Sequence, residues 1–251
     1  MPQEKGGDNP QRGRPMTAEI DPALSPPRGL LVGGPTPPRP RPVVLNGRHV
    51  TLGPLAPEKD AADLYAATHG SEKERLFAYL FDGPYESEAA MAEGLRVAAA
   101  SSDNATLAIR DATTARTLGR ATFMRVELAH RTVEVGSILF SPALARTAAA
   151  TEAMYLMADH AFSLGFRRYE WKCDALNAPS RAAAERLGFR FEGVFRKHMI
   201  IKGRSRDTAW FAITEDEWPA VKRAMEAWLA PENFDAAGRQ KRRLRDLMER
   251  G

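Results

Sequence analysis

Ser141-Pro-Ala-Leu-Ala-Arg-Thr-Ala-Ala-Ala-Thr-Glu-Ala153 joins a strand pattern to a helix pattern, and its reading decides the fold. Before it, Val133-Glu-Val-Gly-Ser-Ile-Leu-Phe140 is β-branched and apolar, and Pro142 cannot donate to a ladder, so the strand ends there. After it, Ala149, Ala153, Leu156, Met157, His160, Ala161 and Leu164 recur at helical spacing. Glu152, Tyr155, Asp159 and Ser163 fall on the opposite side, and Gly165 stops the helix. A loop of small residues entering a helix leaves backbone N–H groups unpaired at the positive end of the helix dipole, an arrangement suited to phosphate. Most strand-to-helix turns bind nothing, so the reading needs support from the rest of the chain.

Outward from this junction, Arg48–Leu52 reads as a first strand and Glu58–Thr68 as a helix. Ser87 is a plausible N-cap for a second helix reaching Ser101. Residues 106–110 and 117–125 read as a hairpin around the polar turn 111–116, followed by the strand Thr132–Phe140. Downstream, Tyr169–Asp174 is a strand with Tyr169, Trp171 and Cys173 on one face, so two parallel strands flank the central helix. Asn177 caps a short helix, Ser180–Leu187, closed by Gly188. Residues 189–195 and 208–214 are strands around a basic turn, Lys202–Arg206, and Glu217–Leu229 is an amphipathic helix.

Charge and composition exclude several classes. The net charge of +4 sits in the ends: residues 1–42 carry +2 and residues 239–251 carry +4, leaving −2 between them. A nearly neutral centre argues against a nucleic-acid-binding fold, which begins with a basic face. One cysteine, Cys173, excludes an internal disulfide and cannot alone build a thiolate zinc site. No run of eighteen apolar residues appears, and no signal-peptide centre, so a cytoplasmic protein is expected. Residues 1–42, dense in Pro, Gly and Arg, read as a disordered leader, with Met16 as a second candidate start.

The element order, with Val135-Gly-Ser-Ile-Leu-Phe-Ser-Pro142, Ala150-Thr-Glu-Ala153, Asn177-Ala-Pro-Ser180, Glu185-Arg-Leu-Gly-Phe-Arg-Phe-Glu-Gly193 and Lys202-Gly-Arg-Ser-Arg-Asp207, resembles the GNAT acetyltransferase superfamily. Together these pieces look like its RimJ/RimL branch, which contains the ribosomal-protein N-terminal acetyltransferases. The fold class implied is α/β with a mixed sheet (α+β), the GNAT acyl-CoA N-acyltransferase fold. One domain, residues 43–218, is expected between the leader 1–42 and a basic helical extension 219–251. The resemblance implies acetyl-CoA as cosubstrate, no metal, and direct transfer to a primary amine, either a protein or peptide N-terminus or a small amine. It implies pyrophosphate binding by Arg146, Thr147, Ala148, Ala149, Ala150 and Thr151. Against the family's pattern of Gln or Arg, two residues, Gly, one residue, then Gly or Ala, this chain departs twice: Ala145 stands at the Gln/Arg position and Ala148 at the Gly position. Arg146 either supplies the missing cation or is solvated.

In the family a bulge splays the strand before the loop from its parallel neighbour, and the pantetheine arm lies in the gap. Gly136 and Ser137 suit that bulge, and the resemblance implies contacts at Leu139 and Phe140 and an oxyanion donor among the amides of 137–140. Glu134, two residues before Gly136, is the candidate general base, and a solvent-facing carboxylate is the alternative. Ala184 stands where many members carry an acid Tyr, which leaves Ser180 near the sulfur and Asn177 on the pantetheine; both are also good helix-capping residues. Cys173 and His160 read as packed residues. His130 and His198 carry no pattern. Arg190, Arg196, Lys197, Lys202, Arg204 and Arg206 meet the nucleotide 3′-phosphate, or an acidic substrate, or form a solvated hairpin. The expected partners are an amine substrate and, as an open possibility, a second copy in a homodimer, with no membrane and no specific nucleic acid. Two other readings stay open: a catalytically silent acyl-CoA-binding module, and a ribosome- or RNA-associated protein using its basic ends.

Overall fold

Alternation of apolar and polar residues over 105–140 builds the middle of a long sheet, and the helices are laid on its two faces. A computed structural model describes residues 20–21, 25–26 and 28–248 and divides into two units, Met1–Pro35 and Thr36–Gly251. In the first, β1 (Ile20–Asp21) pairs antiparallel with β2 (Arg28–Gly29). The remainder of the expected leader up to residue 19, Met16 included, lies outside the described residues.

The second unit runs β3 (Leu45–Asn46), β4 (Val50–Pro54), α1 (Pro57–Thr68), α2 (Lys73–Phe77), α3 (Glu88–Ala99), β5 (Ala105–Asp111), β6 (Thr117–Glu127), β7 (Thr132–Phe140), α4 (Ala148–Ser163), β8 (Arg168–Asp174), α5 (Ala178–Arg186), β9 (Arg190–Ile201), β10 (Arg204–Thr214), α6 (Trp218–Leu229) and α7 (Leu244–Met248). The eight strands are ordered β3-β4-β5-β6-β7-β8-β10-β9. Only β7 and β8 pair in parallel, across the α4 crossover that a parallel connection requires. The mixed α/β sheet expected from the sequence is the observed one.

Local sequence explains the joints. Asp111 Oδ1 accepts from the amides of Thr113 and Thr114 and folds the β5–β6 turn. Lys202 and Gly203 both take positive φ, 49° and 74°, the two-residue turn whose twist suits a hairpin. The basic turn is therefore two residues long, and Arg204–Arg206 belong to β10. Ser87 and Asn177 cap α3 and α5 as expected, accepting from the amides of Ala90 at 3.1 Å and Ser180 at 3.2 Å.

Two apolar layers cover the sheet. On one face Phe123, Val133, Val135, Met157, Tyr169, Trp171 and Phe211 pack with Trp218, Met225 and Trp228 of α6. On the other Leu64, Phe77, Met91 and Leu95 of the first three helices meet Leu139 of β7. The expected C-terminal extension thus supplies core residues, down to Leu244. Beyond Pro231 it is a 3-10 turn (Pro231–Asn233), a loop and α7 rather than one basic helix. Pro37 and Pro40 are buried, so packing reaches back before Val43, into the last residues of the expected leader.

Glu152 corrects the amphipathic reading of α4. Its carboxylate is buried and accepts three backbone amides, Arg48 at 2.9 Å, His49 at 2.6 Å and Val50 at 3.0 Å. It pins the β3–β4 turn from a hundred residues away, and a Cβ at Gly47 would meet its Oε2 at 2.4 Å. Glu152→Ala orphans these amides and is expected to cost roughly 2–4 kcal/mol, read as a lower urea midpoint at unchanged m.

Candidate functional site

The site starts from one extra residue. Arg120 faces Leu139 and Thr122 faces Gly136, so β6 advances two residues while β7 advances three, and Ser137 takes φ of 49°. This bulge reverses the alternation of β7: Val133 and Val135 point into one core, and four residues beyond Val135 it is Leu139 that points into the other. Parallel pairing with β8 stops at the rung Val135–Trp171. Beyond it, residues 136–140 have no partner strand on that side.

A cavity of about 460 Å³ opens in the gap, lined by Glu134, Gly136 to Phe140, Trp171 to Asp174, Asn177 and Ser180, and closed by Arg75, Leu76, Tyr79, Leu80, Phe81 and Arg206. Five of the expected site residues, Glu134, Leu139, Phe140, Asn177 and Ser180, share this one wall system. A Cβ at Gly136 would lie 2.6 Å from Met124 Sδ and 3.1 Å from Glu134 Oε1, so the Met124 side chain would have to shift.

Glu134 is not the solvent-facing carboxylate of the alternative reading. Its side chain is 3% exposed, with Oε1 2.8 Å from Arg125 Nη1 and Oε2 3.1 Å from Lys172 Nζ. The second contact is an ion pair without hydrogen-bond alignment, so Oε2 still lacks an aligned donor. Lys172 also holds Glu170 at 2.7 Å and lies 3.9 Å from the Trp210 ring centroid. Burial works against the Glu170 charge, but hydrogen bonds from Arg168 and Lys172 outweigh it and keep that carboxyl below its ordinary range.

Ser180 sits at the start of α5, where its Oγ accepts from the Trp171 indole N–H at 3.0 Å. An oxygen that receives a donor on one side keeps its own proton to give on the other. The neighbouring Cys173 thiol is pushed up by burial, an effect that Ser180 and the charges of Arg206 and Arg181 only moderate. It is a buried thiol, as its strand position suggested.

The second group of expected residues forms the first turn of α4 and does not line this cavity. Thr147 is the N-cap: Oγ1 accepts from the Ala150 amide at 3.1 Å and donates to the Leu144 carbonyl at 2.6 Å. Thr151 Oγ1 is taken by both Arg186 Nη atoms at 3.1 Å. Arg146, exposed, adopts φ of 64°. The amides of Arg146, Ala148 and Ala149 have no backbone partner among the described residues. The expected set thus keeps three free donors, and Ala150 is committed to the cap.

The basic set divides. Lys202 caps the carbonyls of Phe77 and Asp82 at 3.0 Å and Gly83 at 2.5 Å, which removes it from any phosphate. Arg190 pairs with Glu217. Arg206 alone of the set lines the cavity. Sequence reasoning missed the wall at 75–81 because α2 is only five residues long, below the length at which periodicity is readable. Among the described residues no group of three or more His, Cys, Asp or Glu is arranged to hold a metal, and no helix is long and apolar enough to cross a membrane.

Comparison with known proteins agrees with this geometry. The sequence model described as the acetyltransferase (GNAT) domain matches residues 49–190. A GCN5-related N-acetyltransferase from Brucella melitensis is 46% identical, over 85% of this chain and 98% of its own, with a TM-score of 0.83. A probable GNAT-family acetyltransferase from Chromobacterium violaceum is 38% identical over 80% and 100%, with a TM-score of 0.72. RimJ from Mycobacterium smegmatis, solved with CoA-disulfide, shares the fold at 23% identity, 71% and 88% coverage and a TM-score of 0.59. No curated protein matches the sequence. With a mixed sheet splayed at a bulge, free amides at the central helix and these relatives, the chain belongs to the GNAT family and is an acetyl-CoA-dependent acetyltransferase.

Proposed function

We propose that the protein transfers the acetyl group directly to a primary amine, without a covalent enzyme intermediate, in the gap between β7 and β8. The observation that carries this is the end of parallel pairing at Val135–Trp171, beyond which Glu134 on β7 and Ser180 on α5 line one cavity. Acetyl-CoA, when bound, supplies an activated thioester. The residues at hand fit it: the free amides of Arg146, Ala148 and Ala149, beside the α4 dipole, hold pyrophosphate, and Asn177, Leu139 and Phe140 flank the pantetheine. Alanine at 148 is tolerated because a helical residue there needs no positive φ.

Each proton has a place. The buried Glu134 carboxylate accepts a proton from the amine, directly or through a water, and Arg125 and Lys172 hold it in place. Ser180 directs its hydroxyl hydrogen at the leaving sulfur and stabilises the thiolate by a hydrogen bond, while the Trp171 indole holds its oxygen in place. Amides of residues 137–140, freed from β8 by the bulge, are the donors for the developing oxyanion. Ala184, fully buried, offers no acid.

Ala148→Glu sets a carboxylate against the free amides and is expected to abolish acetyl-CoA binding in calorimetric titration of a folded variant; retained binding would move the pyrophosphate elsewhere. Glu134→Gln is expected to lower kcat by about 10²-fold, and Ser180→Ala by about tenfold, with acetyl-CoA affinity unchanged. Loss of affinity instead would assign both residues to cofactor binding. Cys173, buried with its thiol pushed up, is expected to alkylate slowly at neutral pH, and more slowly still with CoA present. Fast labelling indifferent to CoA would place the pantetheine outside this cavity. Binding without turnover on any amine would leave the silent acyl-CoA module as the answer.

A further inference from the structure

Five charged residues line the cavity, and their partners are unequal. Arg75 pairs with Glu72, Glu134 is held by Arg125 and Lys172, Lys172 also holds Glu170, and Asp174 accepts the Leu176 amide at 2.9 Å. Arg206 is 7% exposed, its side chain makes no hydrogen bond or ion pair among the described residues, and its Nε is buried without a partner. Its ring contact among the described residues is with Phe81, whose centroid lies 5.7 Å from the guanidinium carbon. The charges it feels are those of Asp174, Glu134 and Arg125, with the Cys173 thiol nearby, and none of these carboxylates reaches ion-pair distance. Arg125 stands over the same ring at 5.8 Å.

A buried arginine without a counter-ion carries a desolvation penalty that nothing in the protein offsets. Evolution tolerates such a group where a ligand completes it, and a guanidinium fork is completed by two oxygens of a carboxylate or phosphate. The nucleotide phosphates of the cosubstrate are poor candidates, since residues 146–151 do not line this cavity whereas Glu134 does. We infer that the acceptor amine bears an oxyanion, a carboxylate or a phosphate, which docks on Arg206 while its amino group faces Glu134. The inference rests on the amine-acetyltransfer reading above and narrows its acceptor class.

The test uses the full chain and matched acceptors: α-amino acids against their α-amides, and phosphoethanolamine against ethanolamine. The parent is expected to favour the oxyanion-bearing member by about 10- to 100-fold in kcat/KM, and Arg206→Gln to erase the preference, chiefly through KM, at unchanged acetyl-CoA affinity. Arg206→Lys is expected to restore part of it, and the phosphate and carboxylate arms identify which oxyanion is bound. Independently of turnover, succinate or inorganic phosphate added with CoA should raise the Tm of the parent and not of Arg206→Gln, and the ligand-free variant should melt no lower than the parent. Equal use of neutral amines, a preference that survives in Arg206→Gln, or a ligand-free variant that melts lower overturns the inference. A Tm shift that depends on Arg206, without acetylation of any amine, keeps the anion site and instead overturns amine transfer.

Discussion

One residue too many in β7 governs the molecule. The bulge at Ser137 is local, yet a strand has a period of two, so inserting a single residue exchanges the faces of everything beyond it. Leu139 is thereby handed to the layer of α1, α2 and α3, although Val133 and Val135 belong to the layer of α4 and α6. The same insertion bends β7 away from β8 after Val135. Both cores and the gap between the strands therefore follow from one break in register.

Charge in the gap is arranged by burial as much as by pairing. Glu134 and Glu170 sit on facing rungs of β7 and β8, a repulsion that Lys172 and Arg168 and Arg125 offset by alternation of sign. Such a chain of ion pairs contributes little net stability, because each ion loses its hydration, but it fixes the carboxylates in orientation. Fixed dipoles and charges in a water-poor cleft are what acyl transfer requires, and they need no rearrangement during the reaction.

Much of this was legible in the sequence, and the division is physical. The strand Thr132–Phe140, the caps at Ser87 and Asn177, the stop at Gly165 and the bulge-prone Gly136-Ser137 pair are written in residues close to one another, so local rules reach them. Glu152 was misjudged because its partners are the amides of Arg48 to Val50, a contact no helical period encodes. Arg206 looked like one of six basic residues around a turn; only the pairing of β10 beside β8, which ends at Thr208–Asp174, puts it at the cavity. Lys202 and the packing of α6 were hidden for the same reason, since side chains of long reach take their roles from tertiary neighbours.

The cap that Lys202 forms on the carbonyls of Phe77, Asp82 and Gly83 has a mechanical side. Those residues bracket Tyr79, Leu80 and Phe81 of the cavity wall, and the ammonium comes from the tip of the β9–β10 hairpin. Wall and hairpin tip are fastened at one point, so an outward swing of either breaks these contacts. Widening the mouth for a bulky acceptor means releasing one amine from three oxygens, a latch whose opening is a cooperative event of the two segments rather than the fraying of a loop.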